Sequence, residues 1–241
     1  MATAIVIAGG SGKRTGLAVP KQYLTVFEKP IIIYTMENLQ QVREIENIYA
    51  VLSPGWESFV ESYCNLFGIA KYKGYTFGGE TRTKSVANGL DYLSQHVADD
   101  EMIVMVDANR PLMPHSIIHN ALDAARKHGA SLSVEACSDS LYQCYFENHE
   151  SEEGKAECTL DRSVIFKGQN PECASMKTFH SLYQKALKDN LPDMAASALF
   201  LHYGQTVATV RGSSMNFKIT SSDDLELFRA YVASKREDGL K

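Results

Sequence analysis

The sequence lacks the excess of positive charge that nucleic-acid-binding proteins use. Its 24 Lys and Arg residues are outnumbered by 29 Asp and Glu residues, the formal net charge is −5, and no long basic run occurs. Non-specific binding to a nucleic acid needs a dense field of cations that neutralises phosphates. We therefore expect no nucleic-acid partner.

The sequence also lacks a long apolar run and a signal peptide. No run approaches the roughly 18 residues that a helix needs to cross a bilayer, and no basic segment, apolar core and small-residue cleavage site follow one another at the N-terminus. The five cysteines are odd in number and include no C-x-x-C pair, which favours reduced thiols over a disulfide framework. These absences predict a cytoplasmic protein without a membrane partner.

Short apolar runs alternate with segments of helical periodicity. The predicted strands are residues 3–8, 45–53, 102–107, 131–137 and 206–210, and the predicted helices are residues 30–41, 56–68, 83–96, 115–129 and 221–236. Such an alternation is typical of a mostly parallel sheet covered on both faces. We expect a doubly wound, Rossmann-like α/β fold, formed as one domain by residues 1–241.

Residues 138–168, which we call the arm, interrupt this alternation. They contain two β-prone runs around an acidic, glycine-containing turn, and the pattern predicts a protruding β-hairpin. The alternative is a long surface loop. An isolated hairpin with apolar flanks needs a partner surface, and a second copy of the chain is the simplest candidate. We therefore expect a homodimer that forms through the arm.

The first predicted strand runs into the glycine loop, "AGGSGKR" (8–14), and then into "PKQY" (20–23). Glycines at this turn of an α/β sheet let backbone N–H groups approach a phosphate. The dinucleotide fingerprint fails because Thr15 stands where the third glycine belongs, and a Walker loop fails because Arg14 follows Lys13. The pattern that remains is typical of sugar- and polyol-nucleotidyltransferases. The alternative is a glycine-rich surface turn with incidental cations.

Three later segments extend the match: "GGETRTKSVANGL" (78–90), "DANRP" (107–111) and "NFKITSSDDLELFRAY" (216–231). In this order they resemble the 2-C-methyl-D-erythritol 4-phosphate cytidylyltransferase family, including its ribitol-5-phosphate cytidylyltransferase branch, over essentially the full length. The resemblance implies a nucleotidyltransferase in which an acceptor phosphate attacks the α-phosphorus of CTP and expels pyrophosphate. It also implies Mg²⁺ as cofactor.

The resemblance further implies roles for individual residues. The expected catalytic cations are Arg14, Lys21 and Lys218. The expected nucleotide-binding residues are Ala8, Gly9, Gly10, Gly12, Gly79, Arg82, Ser85, Asp107 and Ala108. The expected acceptor-binding residues are Asp107, Asn109, Arg110, Ser140, Arg162 and Lys218, with Ser140 and Arg162 reaching the site across the dimer interface. Asp107 is also a candidate metal ligand beside the phosphates of CTP.

The chain departs from the family pattern on the acceptor side. Asn109 replaces a small alanine, Ser140 and Asn170 replace threonines, and "DMAAS" (193–197) replaces "TDEAS". These changes predict a polyol phosphate acceptor, such as ribitol 5-phosphate in the synthesis of surface-polymer precursors. The alternatives are methylerythritol phosphate, another sugar, glycerol or phosphonate acceptor, a nucleotide with another base, and a catalytically silent nucleotide-binding protein.

Overall fold

In the computed structural model, which describes residues 1–10, 19–148 and 151–238, a seven-stranded sheet forms the centre of the fold. The strands in chain order are β1 (Ala2–Ala8), β2 (Thr25–Val26), β3 (Lys29–Pro30), β4 (Ile45–Leu52), β5 (Tyr72–Phe77), β6 (Met102–Asp107), β7 (Ala130–Ala136), β8 (Leu141–Phe146), β9 (Gly154–Leu160), β10 (Phe166–Ser175) and β11 (Ala208–Arg211). The β2–β3 and β8–β9 pairs form two separate small sheets.

Helices cover both faces of the large sheet. They are α1 (Ile31–Gln40), α2 (Glu57–Leu66), α3 (Arg82–Leu93), α4 (His115–His128), α5 (Met176–Lys188), α6 (Ala196–His202) and α7 (Ser222–Asp238), and a short 3₁₀ turn spans Lys21–Tyr23. Within the described ranges, no helix combines the length and the apolar character that crossing a bilayer requires.

The strand order of the large sheet is β11-β7-β10-β6-β1-β4-β5. The β1–β4, β1–β6, β4–β5 and β7–β11 pairs are parallel, and β10 runs antiparallel to both of its neighbours. This arrangement confirms the predicted α/β fold with a mostly parallel sheet. Because parallel strands end at one edge, the register that pairs Ile7 with Asp107 brings the ends of β1 and β6 together.

The central antiparallel strand β10 has no counterpart among the predicted strands. Pro171 lies in its middle, and proline removes a ladder donor, so sequence patterns argue against a central strand there. The register with β7 shifts between Gln169 and Glu172, which leaves Asn170 and Pro171 out of the pairing. Strand β5 and helices α5 and α6 are likewise absent from the predicted elements, although the buried residues of α5 recur at helical spacing.

Two buried clusters, one on each face, hold the sheet between the helices. Successive residues of β1 alternate between them: Val6 packs in the cluster with α1 and α4, and Ile5 in the cluster with α3 and α5. Helix α3 lies especially close, because a Cβ on Gly89 would be 2.5 Å from Val51 Cγ2 and 2.6 Å from Ile5 Cδ1. Side chains as buried as these typically contribute ~1.5–3 kcal/mol each by leaving water, so this packing sets the position of α3 on the sheet.

The arm is a β-hairpin, as the sequence predicted. Strands β8 and β9 pair antiparallel, and β9 is exposed along its whole length. Three large side chains of β8, Tyr142, Tyr145 and Phe146, are between 48% and 63% exposed. The arm therefore carries apolar surface that the rest of the described chain does not cover.

Candidate active site

The carboxyl ends of β1 and β6 carry the first group of expected site residues. Ala8 ends β1 and is buried, and Gly9 and Gly10 follow it directly. Lys21 opens the short 3₁₀ turn and is half-buried. Gly12 and Arg14, which the sequence also assigned to this site, lie outside the described residues.

The glycine loop touches the second glycine-containing loop, "GGETRTKS" (78–85), through backbone atoms. A Cβ on Gly78 would lie 3.0 Å from Gly9 Cα and 2.9 Å from Ser85 Oγ, so only glycine permits this approach. The Ser85 hydroxyl accepts the Gly79 N–H at 3.0 Å and donates to the Thr81 carbonyl at 2.8 Å. One hydroxyl therefore fixes the shape of the second loop where it touches the first.

Asp107 is the electrostatic centre of the site, and with three cations it forms what we call the Asp107 cluster. Lys218 Nζ lies 2.9 Å from its Oδ2, Arg82 Nη2 lies 3.3 Å from its Oδ1, and Arg110 Nε lies 3.9 Å from Oδ2. The residue is 8% exposed, and its backbone N–H donates to Asn170 Oδ1 at 2.8 Å. Burial by itself raises the pKa of Asp107, but Lys218 and Arg82 outweigh it and hold that pKa below its usual value.

The Arg82 guanidinium is partly buried and contacts Asp107. Burial lowers the pKa of Arg82, but the charge of Asp107, with smaller effects of Tyr183 and Glu172, raises it overall. Glu172 is itself buried, and one of its oxygens accepts the Ser197 N–H at 2.7 Å. Arg82 is thus an ion-pair partner of Asp107, and its expected role with the nucleotide would act through that carboxylate.

The "DANRP" turn and the "NFKIT" segment are fastened to each other beside Asp107. Asn109 Nδ2 donates to the Ile219 carbonyl at 2.7 Å, and the Ile219 N–H donates to the Asn109 carbonyl at 2.9 Å. Arg110 Nη1 donates to the Asn216 carbonyl at 2.5 Å. These three bonds place Lys218, which lies between Asn216 and Ile219, within reach of Asp107.

Ser140 and Arg162 are not brought to the Asp107 cluster within one chain. Both lie at the base of the arm and are exposed, and Arg162 Nη1 donates to the Ser138 carbonyl at 2.5 Å. Among the described residues, neither side chain has a hydrogen bond or ion pair with a member of the Asp107 cluster. The contacts within one chain therefore do not account for their predicted role at the acceptor.

Two residues that the sequence placed on the acceptor side as departures from the family pattern, Asp193 and Asn170, support the nucleotide loop and Asp107 instead. Asp193 accepts the N–H groups of Arg82 at 3.1 Å and Thr83 at 3.0 Å, so a carboxylate from the loop before α6 caps the N-terminus of α3. Burial alone would raise the pKa of Asp193, but these two bonds lower it overall. Asn170 comes from the bulge of β10, and no local sequence signal predicts that its side chain meets Asp107.

The described residues contain no group of three His, Cys, Asp or Glu side chains close enough to hold a metal ion together. The Asp107 oxygens are already occupied by Lys218, Arg82 and Arg110. A buried carboxylate compensated by three cations has little charge left for a divalent ion. This arrangement does not fit a metal site built from protein side chains.

Comparison with known proteins places the chain among enzymes. The sequence model of the family described as IspD, 2-C-methyl-D-erythritol 4-phosphate cytidylyltransferase, matches residues 2–234. A ribitol-5-phosphate cytidylyltransferase of Lacticaseibacillus paracasei is 32% identical over 239 residues, which cover 98% of this chain and 99% of that protein. A 2-C-methyl-D-erythritol 4-phosphate cytidylyltransferase of Syntrophus aciditrophicus is 33% identical over 237 residues, 98% of this chain and 97% of that protein.

Solved structures share the fold. A 4-diphosphocytidyl-2C-methyl-D-erythritol synthase from Anaerococcus prevotii superposes with a TM-score of 0.79 at 22% identity, over 97% of this chain and 96% of that chain. The family model and the two relatives define the chain as a nucleotidyltransferase of the cytidylyltransferase type. The Asp107 cluster and the two adjoining glycine loops are consistent with that class. The chain belongs to the 2-C-methyl-D-erythritol 4-phosphate cytidylyltransferase (IspD) family.

We predict that Asp193→Ala destabilises the protein, because it removes the carboxylate that accepts the Arg82 and Thr83 N–H groups at the start of α3, while the Thr81 cap on Lys84 N–H remains. The loss of a cap at an exposed position is expected to cost about 0.5–1 kcal/mol, a decrease in Tm of about 1–4 °C for a chain of this size. Because the folded-state pKa of Asp193 is lowered, its contribution is present at neutral pH and is lost as the carboxylate protonates below about pH 4. Thermal unfolding of wild type and variant from pH 3 to pH 8 measures both effects.

Asp100→Ala is the matched control, since Asp100 is exposed in the turn before β6. Its Tm should follow that of the wild type at every pH. An Asp193→Ala protein whose Tm deficit is as large at pH 3 as at pH 7 would show that the carboxylate charge is not what stabilises α3.

Proposed function

We propose that the enzyme transfers CMP from CTP to a polyol phosphate, with ribitol 5-phosphate as the preferred acceptor. CMP transfer is supported by one observation: three cations, Lys218, Arg82 and Arg110, converge on Asp107 beside two glycine loops. The choice of acceptor is supported by the similarity to the ribitol-5-phosphate cytidylyltransferase of L. paracasei and by the departures from the family pattern on the acceptor side.

In the proposed reaction an oxygen of the acceptor phosphate attacks the α-phosphorus of CTP. A new P–O bond forms, the bond from the α-phosphorus to the bridging oxygen breaks, and pyrophosphate leaves with that electron pair. Both reactants are polyanions, so the main barrier is their repulsion and the charge that develops on phosphorus. Positioned cations and backbone amides lower such a barrier.

We assign the triphosphate to the backbone of the glycine loop, with Arg14 and Lys21 as cations for the transition state. Gly79 and Ser85 form the loop that would read cytosine, because its amine and ring acceptors match backbone carbonyl and N–H groups. Asp107, neighboured by Ala108, is assigned to the ribose side and to the orientation of Lys218, which lies 2.9 Å away.

On the acceptor side we assign Arg110 and Lys218 to the acceptor phosphate, with Ser140 and Arg162 of the second chain. The Asn109 amide nitrogen is already bonded to the Ile219 carbonyl. Its contribution is therefore to hold Lys218 in place, and contact with the acceptor would use the amide oxygen.

Enzymes of this family generally use a divalent metal, and we propose Mg²⁺. When bound, the ion would neutralise charge on the triphosphate. Because the Asp107 oxygens already face three cations, the CTP phosphates are the ligands that suit it, in keeping with the preference of Mg²⁺ for few protein carboxylates. We place the reaction in the cytoplasm, as expected from the sequence.

Methylerythritol phosphate is the second candidate acceptor. It is supported by the family model and by the relative from S. aciditrophicus, which is as similar in sequence as the ribitol enzyme. The difference between the two candidates lies in the acceptor half, since both share CTP.

We predict that the purified enzyme releases pyrophosphate from CTP with ribitol 5-phosphate and not detectably with methylerythritol 4-phosphate. The physical reason is that Asn109 and Ser140 alter the acceptor side, whereas the glycines of both loops are kept. Pyrophosphate release is measured with CTP, ATP, GTP and UTP against ribitol, glycerol and methylerythritol phosphates. Full turnover of methylerythritol phosphate would overturn the acceptor assignment, and a preference for another nucleotide would overturn the cytosine assignment.

We predict that Arg14→Ala lowers kcat by about 10²–10³-fold, because one donor to the transition-state charge is removed. CTP affinity, measured by calorimetry without acceptor, should change much less, since the glycine loop and the other cations remain. Arg43→Ala is the control, as Arg43 is an exposed residue before β4, and it should leave both quantities unchanged. Equal losses in affinity and kcat would make Arg14 a ground-state binding residue.

We also propose that the arm docks on a second copy of this chain. Its exposed Tyr142, Tyr145 and Phe146 would be covered in a dimer, and a two-stranded hairpin is marginally stable by itself. An arm that reaches the neighbouring site would bring Ser140 and Arg162 to the acceptor.

Mixing two inactive variants tests this arrangement. Arg162→Ala and Lys218→Met should each be strongly impaired, and subunit exchange between them should restore up to about a quarter of wild-type activity in randomly assorted two-fold dimers. The control is a mixture of Arg14→Ala and Lys218→Met. In our proposal both residues of a site come from the same chain, so each site of that mixed dimer keeps one defect and activity should not recover. A fully active Arg162→Ala protein, or no recovery on mixing, would exclude a shared site.

A further inference from the structure

Three side chains converge on one backbone carbonyl where β1 enters the glycine loop. The Ala8 carbonyl accepts Gln22 Nε2 at 2.7 Å, the Tyr23 hydroxyl at 3.1 Å and the Ser53 hydroxyl at 3.3 Å. Carbonyl and N–H of one trans peptide point in opposite directions. Fixing the Ala8 carbonyl therefore also fixes the direction of the Gly9 N–H.

Gln22 makes a second contact with the same loop. The other hydrogen of its Nε2 group is directed to the Gly10 carbonyl at 2.8 Å, although the two residues are twelve positions apart in the sequence. The space where a Cβ of Gly10 would lie is open, with no atom within 4 Å. Packing on that side therefore does not fix the position of Gly10. The Gln22 amide thus bridges the Ala8 and Gly10 carbonyls with its two donors.

Tyr23 anchors this bridge in the core. It is 2% exposed and stacks on Trp56, with ring centroids 4.3 Å apart and an interplanar angle of 4°. Its hydroxyl accepts the Ser53 N–H at 3.0 Å while donating to Ala8. Burial raises the pKa of Tyr23, so the phenol keeps its proton at neutral pH. A rigid residue next to Gln22 therefore fixes the position from which Gln22 reaches the loop.

We infer that Gln22 is a positioning residue for the triphosphate: its amide clamps the entry of the glycine loop, and it also sets its neighbour Lys21 relative to Gly9 and Gly10. The inference rests on the proposed function, since it concerns the same nucleotide site. Gln22 itself needs no contact with CTP in this role, because both donors of its Nε2 are used by the backbone.

The test compares Gln22→Glu, which keeps the shape and removes both donors, with Gln22→Met, which removes the polar group. Each should raise KM for CTP by about 10–100-fold, the size of effect that misplaced binding groups produce. The KM for the acceptor should stay within about twofold of wild type, because the acceptor side does not depend on this clamp. Without any ligand, hydrogen exchange of peptides covering residues 5–10 and 19–24 should become faster in both variants.

Gln40→Met is the matched control. Gln40 also bonds to backbone groups, the Gly68 carbonyl at 3.0 Å and the Lys71 N–H at 3.2 Å, but at the opposite end of α1. It should leave KM for CTP and exchange near β1 unchanged. Unaltered CTP kinetics and exchange in Gln22→Met would overturn the inference. A wild-type enzyme that does not use CTP would overturn the proposed function instead, and the exchange comparison would still test the clamp.

Discussion

A carboxylate buried at the end of a central strand fixes the positions of the three chain segments that surround it. Asp107 is 8% exposed, and an isolated charge at such a depth is strongly disfavoured. Three cations from three different parts of the chain compensate it: Arg82 from α3, Arg110 from the turn after β6 and Lys218 from the segment before α7. Keeping this one charge ionised therefore holds the second glycine loop, the "DANRP" turn and the "NFKIT" segment around a common point.

The second constraint is steric and acts between backbones. Gly9 and Gly78 approach so closely that a single Cβ would clash, so the two glycine loops behave as one surface. Ser85 fixes the second loop from α3, and Asp193 caps the same helix from outside. A nucleotide bound on this surface would be held mainly by backbone groups, which suits a rigid scaffold with few mobile side chains.

The nucleotide half and the acceptor half of the site are built differently. The nucleotide half lies within one chain, where strand ends, loop contacts and helix caps overlap. In our proposal, the acceptor half depends on Arg110 and Lys218 and on Ser140 and Arg162 from an arm that this chain alone leaves exposed. In our proposal, changes in the arm therefore alter acceptor choice without disturbing the CTP site.

The alternation of strands and helices, the hairpin and the family followed from local patterns: apolar runs of strand length, helical periodicity, and motifs such as "AGGSGKR" and "DANRP". Strand β10 did not, because Pro171 argues locally against a strand and only the bulge opposite β7 accommodates it. The partners of Asp107, the cap from Asp193 and the clamp from Gln22 also depended on the tertiary structure. Periodicity and motifs report on neighbours along the chain, whereas these contacts join residues that only the packed sheet brings together.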